Sequence, residues 1–227
     1  FVDMNKYPKD WTILYQQPQI LNKHLLERRN PDTNRMFLCP AFTNLSKKVA
    51  VIRFPFDSKY SIKDGKIEQV SSHSLEFQFP HESSIKNNIL VEFYFCHLFF
   101  CEEDVNITLT APYFSNSPHM RFGAVVPGTF NISKWFRPIV LEMNLWEGVS
   151  ELEFKKDEHI FYVHFDTEND IEFVQFTMSD EIRQISDVCS DSTAWEKNVP
   201  IHCRYERFEK SNLNKILIRE IKKNIVE

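Results

Sequence analysis

The middle of the chain alternates apolar and polar residues with the period of a β-strand. Residues 49–54 are apolar at nearly every position, which is typical of a strand buried on both faces. In residues 75–79 and 105–109 apolar and polar residues alternate, which predicts strands with one buried face. The same reasoning predicts further strands at 121–126, 139–144, 160–165 and 171–176.

Two hairpins are predicted among these strands. Lys63-Asp64-Gly65-Lys66 contains an Asp-Gly pair, which tolerates the positive φ of a type I′ turn. The apolar run 90–101 ends at Glu102-Glu103-Asp104, and we expect it to pair with the strand at 105–109. Short strands at this regular spacing favour an antiparallel β-sandwich or jelly-roll-like core over a parallel sheet.

Helical spacing of apolar residues is found towards both ends of the chain. It predicts a short helix at 20–29, a second one that Ser179 caps, and a last one that Ser211 caps. The apolar stripe of the last helix consists of Leu213, Ile216, Leu217, Ile221 and Ile225. We expect this stripe to pack on its own domain, and the alternative is a helix that docks on a partner.

These patterns divide the chain into three parts. Residues 1–35 are an N-terminal arm with a short helix, residues 36–178 are a β-rich core domain, and residues 179–227 are a helical C-terminal segment. The predicted fold class is therefore mainly β, an antiparallel β-sandwich or jelly-roll-like core with a helical C-terminal tail.

Composition excludes several classes of protein. The 4 Gly residues lie far apart, so the chain has neither a P-loop nor a dinucleotide fingerprint, and we expect no cofactor. A net charge of -5 makes binding to duplex nucleic acid unfavourable. The 5 Cys contain no Cys-x-x-Cys pair and are interpreted as reduced thiols. No segment reads as a signal peptide or a transmembrane helix, so neither secretion nor a membrane partner is expected.

One short motif has the spacing of a metal site. In His164-Phe165-Asp166 the imidazole and the carboxylate lie on one face of a strand, and such a pair binds Fe(II) when a distant His completes the triad. His202 is the candidate third ligand. The alternative is that His164 and Asp166 bond to backbone or water. The acidic stretch 166–170 is a candidate Ca²⁺ loop or, alternatively, a solvated turn.

The segment 121–138 contains Pro127-Gly128 and Trp135-Phe136-Arg137-Pro138, followed by an apolar strand. It resembles the nucleotide-binding turn of the dUTPase and dCTP deaminase family. The resemblance implies roles for Asn131 and Arg137 in the site. Asn131 is the nearest match to the family's catalytic Asp, and an Asn cannot act as a general base. The resemblance therefore implies a shared fold whose activity is lost.

Residues 35–180 as a whole resemble uncharacterised proteins of tailed bacteriophages, especially marine ones. The resemblance lies in Cys39-Pro40-Ala41, in Phe54-Pro55-Phe56-Asp57, and in the Pro127-Gly128 to Pro138 segment. It implies a location in the host cytoplasm or the virion. The sequence favours a binding or structural protein with a protein partner or self-association. The alternative is a jelly-roll or β-clip enzyme that handles a nucleotide or uses Fe(II) and 2-oxoglutarate.

Overall fold

The structure is a computed structural model that describes residues 17–28, 35–63, 66–71, 77–78, 89–95, 97–189 and 199–226. The helices of these residues are α1 (Leu21–Glu27), α2 (Pro40–Lys47), α3 (Asp180–Cys189), α4 (Ile201–Lys210) and α5 (Leu213–Lys223), with 3-10 turns at Arg35–Leu38 and Pro118–Arg121. The strands are β1 (Gln19–Ile20), β2 (Val49–Arg53), β3 (Ser58–Lys63), β4 (Lys66–Gln69), β5 (Phe77–Gln78), β6 (Ile89–Tyr94), β7 (Asn106–Thr110), β8 (Gly123–Val125), β9 (Gly128–Asn131), β10 (Val140–Leu145), β11 (Glu151–Phe154) and β12 (His159–Asp166).

The strands form three antiparallel sheets. The five-stranded sheet has the order β1-β2-β12-β7-β9, the four-stranded sheet the order β5-β6-β10-β8, and the three-stranded sheet the order β11-β3-β4. Alternate residues of all three sheets point into one buried cluster, because neighbouring positions of a strand face opposite sides. The predicted mainly-β, sandwich-like core with a helical C-terminal tail is confirmed.

The shared core is rich in aromatic rings. Phe154 stacks on Phe54 with ring centroids 4.5 Å apart, and it also meets Phe93 edge to face at 5.2 Å. Phe95 meets Phe161 at 5.4 Å, which joins the four-stranded to the five-stranded sheet. Such aromatic contacts add to the free energy of burial, so they fix how the sheets pack.

The C-terminal helices bury a second cluster. Leu217 of α5, Phe208 of α4 and Ile182 of α3 are fully buried there, together with Trp135 and Phe136 from the loop before β10. The last helix therefore packs on its own domain, while Ile216 and Ile225 at its edges stay partly exposed. None of the helices in the described ranges has the length and apolarity needed to cross a bilayer.

Several local predictions are confirmed. Strand β2 is buried on both faces at Val49–Ile52. Lys63 pairs with Lys66 as a hairpin requires, although Asp64 and Gly65 lie outside the described residues. The Ser179 hydroxyl accepts the Ile182 N–H at 3.2 Å and so caps α3 as predicted. The predicted N-terminal helix corresponds to α1.

The second hairpin prediction is wrong. The strand β6 belongs to the four-stranded sheet and β7 to the five-stranded sheet, so the chain crosses from one sheet to the other between them. The apolar run and the alternating pattern located β6 and β7, but neither carries information about which strands pair.

Other predicted boundaries also need correction. Residues 171–176 form no strand beyond one bridge between Phe176 and Ile225. Ser211 does not cap the last helix, because its hydroxyl donates to the Phe208 carbonyl at the end of α4. Helix α2 was missed within the predicted β-core, although Pro40 suits the first position of a helix.

Candidate functional site

Strand β12 carries a row of polar side chains on the side of the five-stranded sheet that faces away from the core. Tyr162, His164 and Asp166 follow one another at a spacing of two residues. A register shift between His159 and Phe161 places two residues of β12 against one of β2. This bulge turns His159 to the side of Tyr162. We call His159, Tyr162, His164 and Asp166 the outer row.

A series of hydrogen bonds connects the His159 end of the outer row to α1. The Tyr162 hydroxyl lies 2.8 Å from His159 Nδ1, and His159 Nε2 lies 2.8 Å from His24 Nε2. His24 Nδ1 lies 2.9 Å from the Gln19 side-chain oxygen, and Gln19 Nε2 donates to Glu27 at 2.7 Å. Four side-chain contacts therefore connect β12 with β1 and α1.

These contacts fix where the hydrogens sit. Because the Gln19 amide nitrogen donates to Glu27, its oxygen must accept from His24 Nδ1–H. A neutral His24 then has a bare Nε2, which accepts from His159 Nε2–H. His159 Nδ1 in turn accepts from the Tyr162 hydroxyl. Each hydrogen donated in this series of bonds has one acceptor, and both imidazoles are neutral.

Burial and nearby cations keep both imidazoles neutral. His24 is 2% exposed and His159 is 3% exposed. Burial, with the Arg28 and Arg53 guanidinium groups, lowers the pKa of His24 to about 4. Burial, with the positive form of His24 and the same two Arg, lowers the pKa of His159 to about 3. The two imidazoles bond to each other away from solvent, which suits a structural contact better than proton transfer to a substrate.

The outer end of the row is more open. His164 Nε2 lies 2.9 Å from the Thr110 hydroxyl, and the Tyr113 ring tilts over the imidazole at 5.9 Å between centroids. Asp166 lies opposite Asn106 across the β12–β7 pair, and Asn106 lies opposite Asn131 on β9. Three of the residues selected from the sequence, His164, Asp166 and Asn131, therefore share one face of one sheet.

The third metal candidate lies elsewhere. His202 is an exposed residue of α4, in the helical C-terminal segment. Within the described ranges, no three His, Cys, Asp or Glu side chains come close enough to hold a metal ion. The structure therefore places His164 and Asp166 side by side and does not bring His202 to them.

A lysine fills the acidic loop after β12. The Lys48 ammonium donates to the carbonyl oxygens of Glu168, at 3.0 Å, and Asn169, at 2.5 Å. It also lies 4.0 Å from the Asp170 carboxylate. Carbonyl and carboxylate oxygens are also the ligands that Ca²⁺ prefers. The Lys48 ammonium therefore already bonds to the oxygens of this loop.

Asn131 and Arg137 have different surroundings. Asn131 donates to Asp104 and Asn106, and its oxygen accepts the Ser133 hydroxyl at 2.6 Å. The Arg137 guanidinium lies over the Trp135 ring, 5.5 Å from its centroid. A cleft beside Ser133 has a volume of about 90 Å³. Ligand pockets usually measure about 300–1,000 Å³, so this cleft is too small for a nucleotide.

Four exposed apolar side chains lie on three helical elements that pack one on the next, the 3-10 turn, α2 and α1. The exposed fraction is 78% for Leu38, 44% for Leu45, 40% for Met36 and 39% for Leu26. Leu38 and Met36 lie in the 3-10 turn that packs on α2, and α2 packs on α1. We call these four residues the apolar helical surface.

Sequence reasoning missed the pairing of His24 with His159. The available signal was the position of His24 among Leu21 and Leu25 in a helical pattern, which indicates a buried imidazole in need of a partner. A contact across 135 residues has no local signature. In comparisons with known proteins, no family model, no curated protein and no solved structure matches this chain.

Proposed function

We propose that this chain is a phage-encoded binding or structural protein that acts through contact with protein, in the virion or its assembly, and not through catalysis. The observation that carries the proposal is the apolar helical surface. A side chain such as Leu38, which is 78% exposed, leaves contact with water when another surface covers it, and such burial is favourable. Grouped apolar side chains of this kind mark interaction sites.

A series of aromatic contacts lies next to this surface. The Phe37 ring meets Phe42 at 5.5 Å, Phe42 meets Phe114 at 5.2 Å, and Phe114 meets Tyr113 at 5.0 Å. Tyr113 in turn meets Tyr162 of the outer row at 4.8 Å. These contacts join the 3-10 turn and α2, which carry the surface, to the five-stranded sheet, which supports a docking role.

The phage origin rests on the sequence resemblance across residues 35–180. Part of the resembling sequence, Cys39-Pro40-Ala41, forms the start of α2, next to the apolar helical surface. Soluble oligomers are mostly symmetric assemblies of one chain. A second copy of this chain is therefore the partner that we propose.

The test is the mass of the purified protein in solution over a range of concentrations. We expect the wild-type protein to associate and Leu38→Glu to shift the equilibrium towards the monomer by at least about tenfold, since a charge would be buried. Val174→Glu is the matched control, because Val174 is 55% exposed and lies outside the surface. A wild-type protein that stays monomeric at every concentration, or equal effects of the two variants, would contradict self-association through this surface.

A further inference from the structure

The His24–His159 contact ties α1 to the five-stranded sheet. The fully buried Leu21 of α1 packs on Val49, Val51 and Tyr162, which form a small apolar cluster separate from the main core. The polar contacts at this boundary are those of His24, Gln19 and the His159–Tyr162 pair. A short helix of 7 residues is not stable alone, so α1 depends on these contacts.

The His24–His159 contact has room for only one hydrogen between the two Nε2 atoms. A first additional proton keeps this contact, because the Tyr162 hydroxyl can turn and accept from His159 Nδ1–H. When both imidazoles are protonated, two N–H groups face each other across 2.8 Å. Uptake of both protons therefore breaks the hydrogen bond between α1 and β12.

The charged and titratable groups around the pair also oppose protonation. Arg28 of α1 and Arg53 of β2 repel a positive imidazole, while Glu27 of α1 attracts one at His24. Asp157, before β12, acts mainly on Arg53. Burial raises the pKa of Tyr113 to about 12 and also raises that of Tyr162, so both phenols keep their protons below pH 7.

We propose that the His24–His159 contact is an acid-sensitive latch, in which proton uptake releases α1 from the five-stranded sheet while the other sheets stay folded. Release exposes Leu21 and the Tyr162 face of the sheet. The inference does not depend on the proposed function, because opening of the latch is measured without any partner.

The direction of the pH dependence follows from the two states of the latch. In the released state each imidazole has its ordinary pKa of about 6.5. In the closed state the pKa is about 4 for His24 and about 3 for His159. The contact therefore stabilises the closed form fully above pH 6.5. Its contribution falls as the pH drops below 6.5, and it is lost as the pH falls through 4 towards 3.

Hydrogen exchange of backbone amides, corrected for intrinsic rates, tests the latch between pH 7.5 and pH 4.5. We expect the opening constant of α1 to rise by up to about 100-fold per pH unit below 6.5, since each imidazole contributes up to about tenfold. Amides of β6 and β10 serve as the reference, because global unfolding, including the effect of the buried His119, reaches them too. Equal pH dependence in α1 and in the reference strands would overturn the latch.

Two variants and a control locate the proton. His24→Gln and His159→Gln each remove one titrating group, so the excess pH dependence of α1 should fall to about tenfold per unit or less. His164→Gln is the matched control on the same strand and should leave it unchanged. A full wild-type dependence in both variants would overturn the proposal. If a variant fails to fold, the exchange of the wild-type α1 amides, compared with that of β6 and β10, still tests the latch.

Zinc distinguishes a latch from a metal centre. Two imidazole nitrogens that face each other resemble half of a zinc site. We expect Zn²⁺ at pH 7.5 to leave the midpoint of thermal unfolding unchanged, because Arg28 and Arg53 repel a cation. A rise of the midpoint with Zn²⁺ that is lost in His24→Gln would overturn the latch.

Discussion

At the scale of single residues, the buried imidazoles show how polar groups survive inside this protein. His119 is 1% exposed, and its Nε2 lies 3.0 Å from the Ile160 carbonyl. His24 and His159 each have the other as the hydrogen-bond partner of their Nε2 atom. A buried polar atom without a partner costs about 1–3 kcal/mol, so each of these contacts is expensive to break.

The Tyr162 hydroxyl offers a test at this scale. In Tyr162→Phe the His159 Nδ1 loses its donor inside the protein. We expect the free energy of unfolding at pH 7.5 to fall by about 1–3 kcal/mol, measured by urea denaturation. Tyr94→Phe is the control, because Tyr94 is only partly buried and its hydroxyl reaches Glu92 at 3.2 Å. An equal loss in both variants would contradict the role given to Tyr162.

The candidate site could be predicted only in part, and the reason lies at the residue scale. Alternation correctly predicted that His164 and Asp166 share a face of a strand, because that relation is local. His159 lies on the same face only because of a bulge opposite Ile52, and no residue type in the sequence predicts that bulge. The partner His24 comes from another element, so only the fold brings it there.

At the scale of elements, the sequence predicted strands better than their partners. Strand β2 follows from its apolar run, and the β3–β4 hairpin from its Asp-Gly pair. The strand β9 was not predicted, since Pro127-Gly128 is a usual turn signal. Residues 171–176 have a strand pattern, but Phe173 packs on Phe99 and Phe165 from an extended segment outside the sheets.

Two glycines test the packing of the four-stranded and five-stranded sheets. A Cβ at Gly123 in β8 would lie 2.6 Å from the Asn144 carbonyl oxygen, and backbone cannot move away easily. We expect Gly123→Ala to lower the free energy of unfolding by about 1–3 kcal/mol. Gly128 in β9 has no atom within 4 Å of its Cβ position, so Gly128→Ala should change stability by less than about 0.5 kcal/mol. Denaturant titration of both proteins checks this, and the reverse order would refute the packing described for β8.

At the scale of the whole molecule, three sheets share one core and the C-terminal helices cover a second cluster. Phe154 sits where the sheets meet, because its ring contacts Phe54, Phe93, Tyr60 and His119. Trp135 and Phe136 connect the second cluster to the loop before β10. The fold therefore depends on aromatic contacts between distant parts of the chain.

Removal of one central ring should destabilise the entire sandwich. We expect Phe154→Ala to lower the free energy of unfolding by about 3–5 kcal/mol, from lost burial and the cavity left behind. Circular dichroism during urea denaturation measures it, with Val174→Ala as the control because Val174 is 55% exposed. A loss below about 1 kcal/mol would mean that Phe154 is not at the centre of the core.

The pairing of β2 with β12 has a consequence for how the protein is made. The partner of β2 emerges from the ribosome roughly 110 residues later, which at about 5–20 residues per second means a delay of roughly 5–20 s. During that interval the apolar run Val49–Ile52 has an open edge, to which another nascent chain could bind. Chaperones that shield such edges should therefore raise the yield of folded protein, and slow synthesis should lower it.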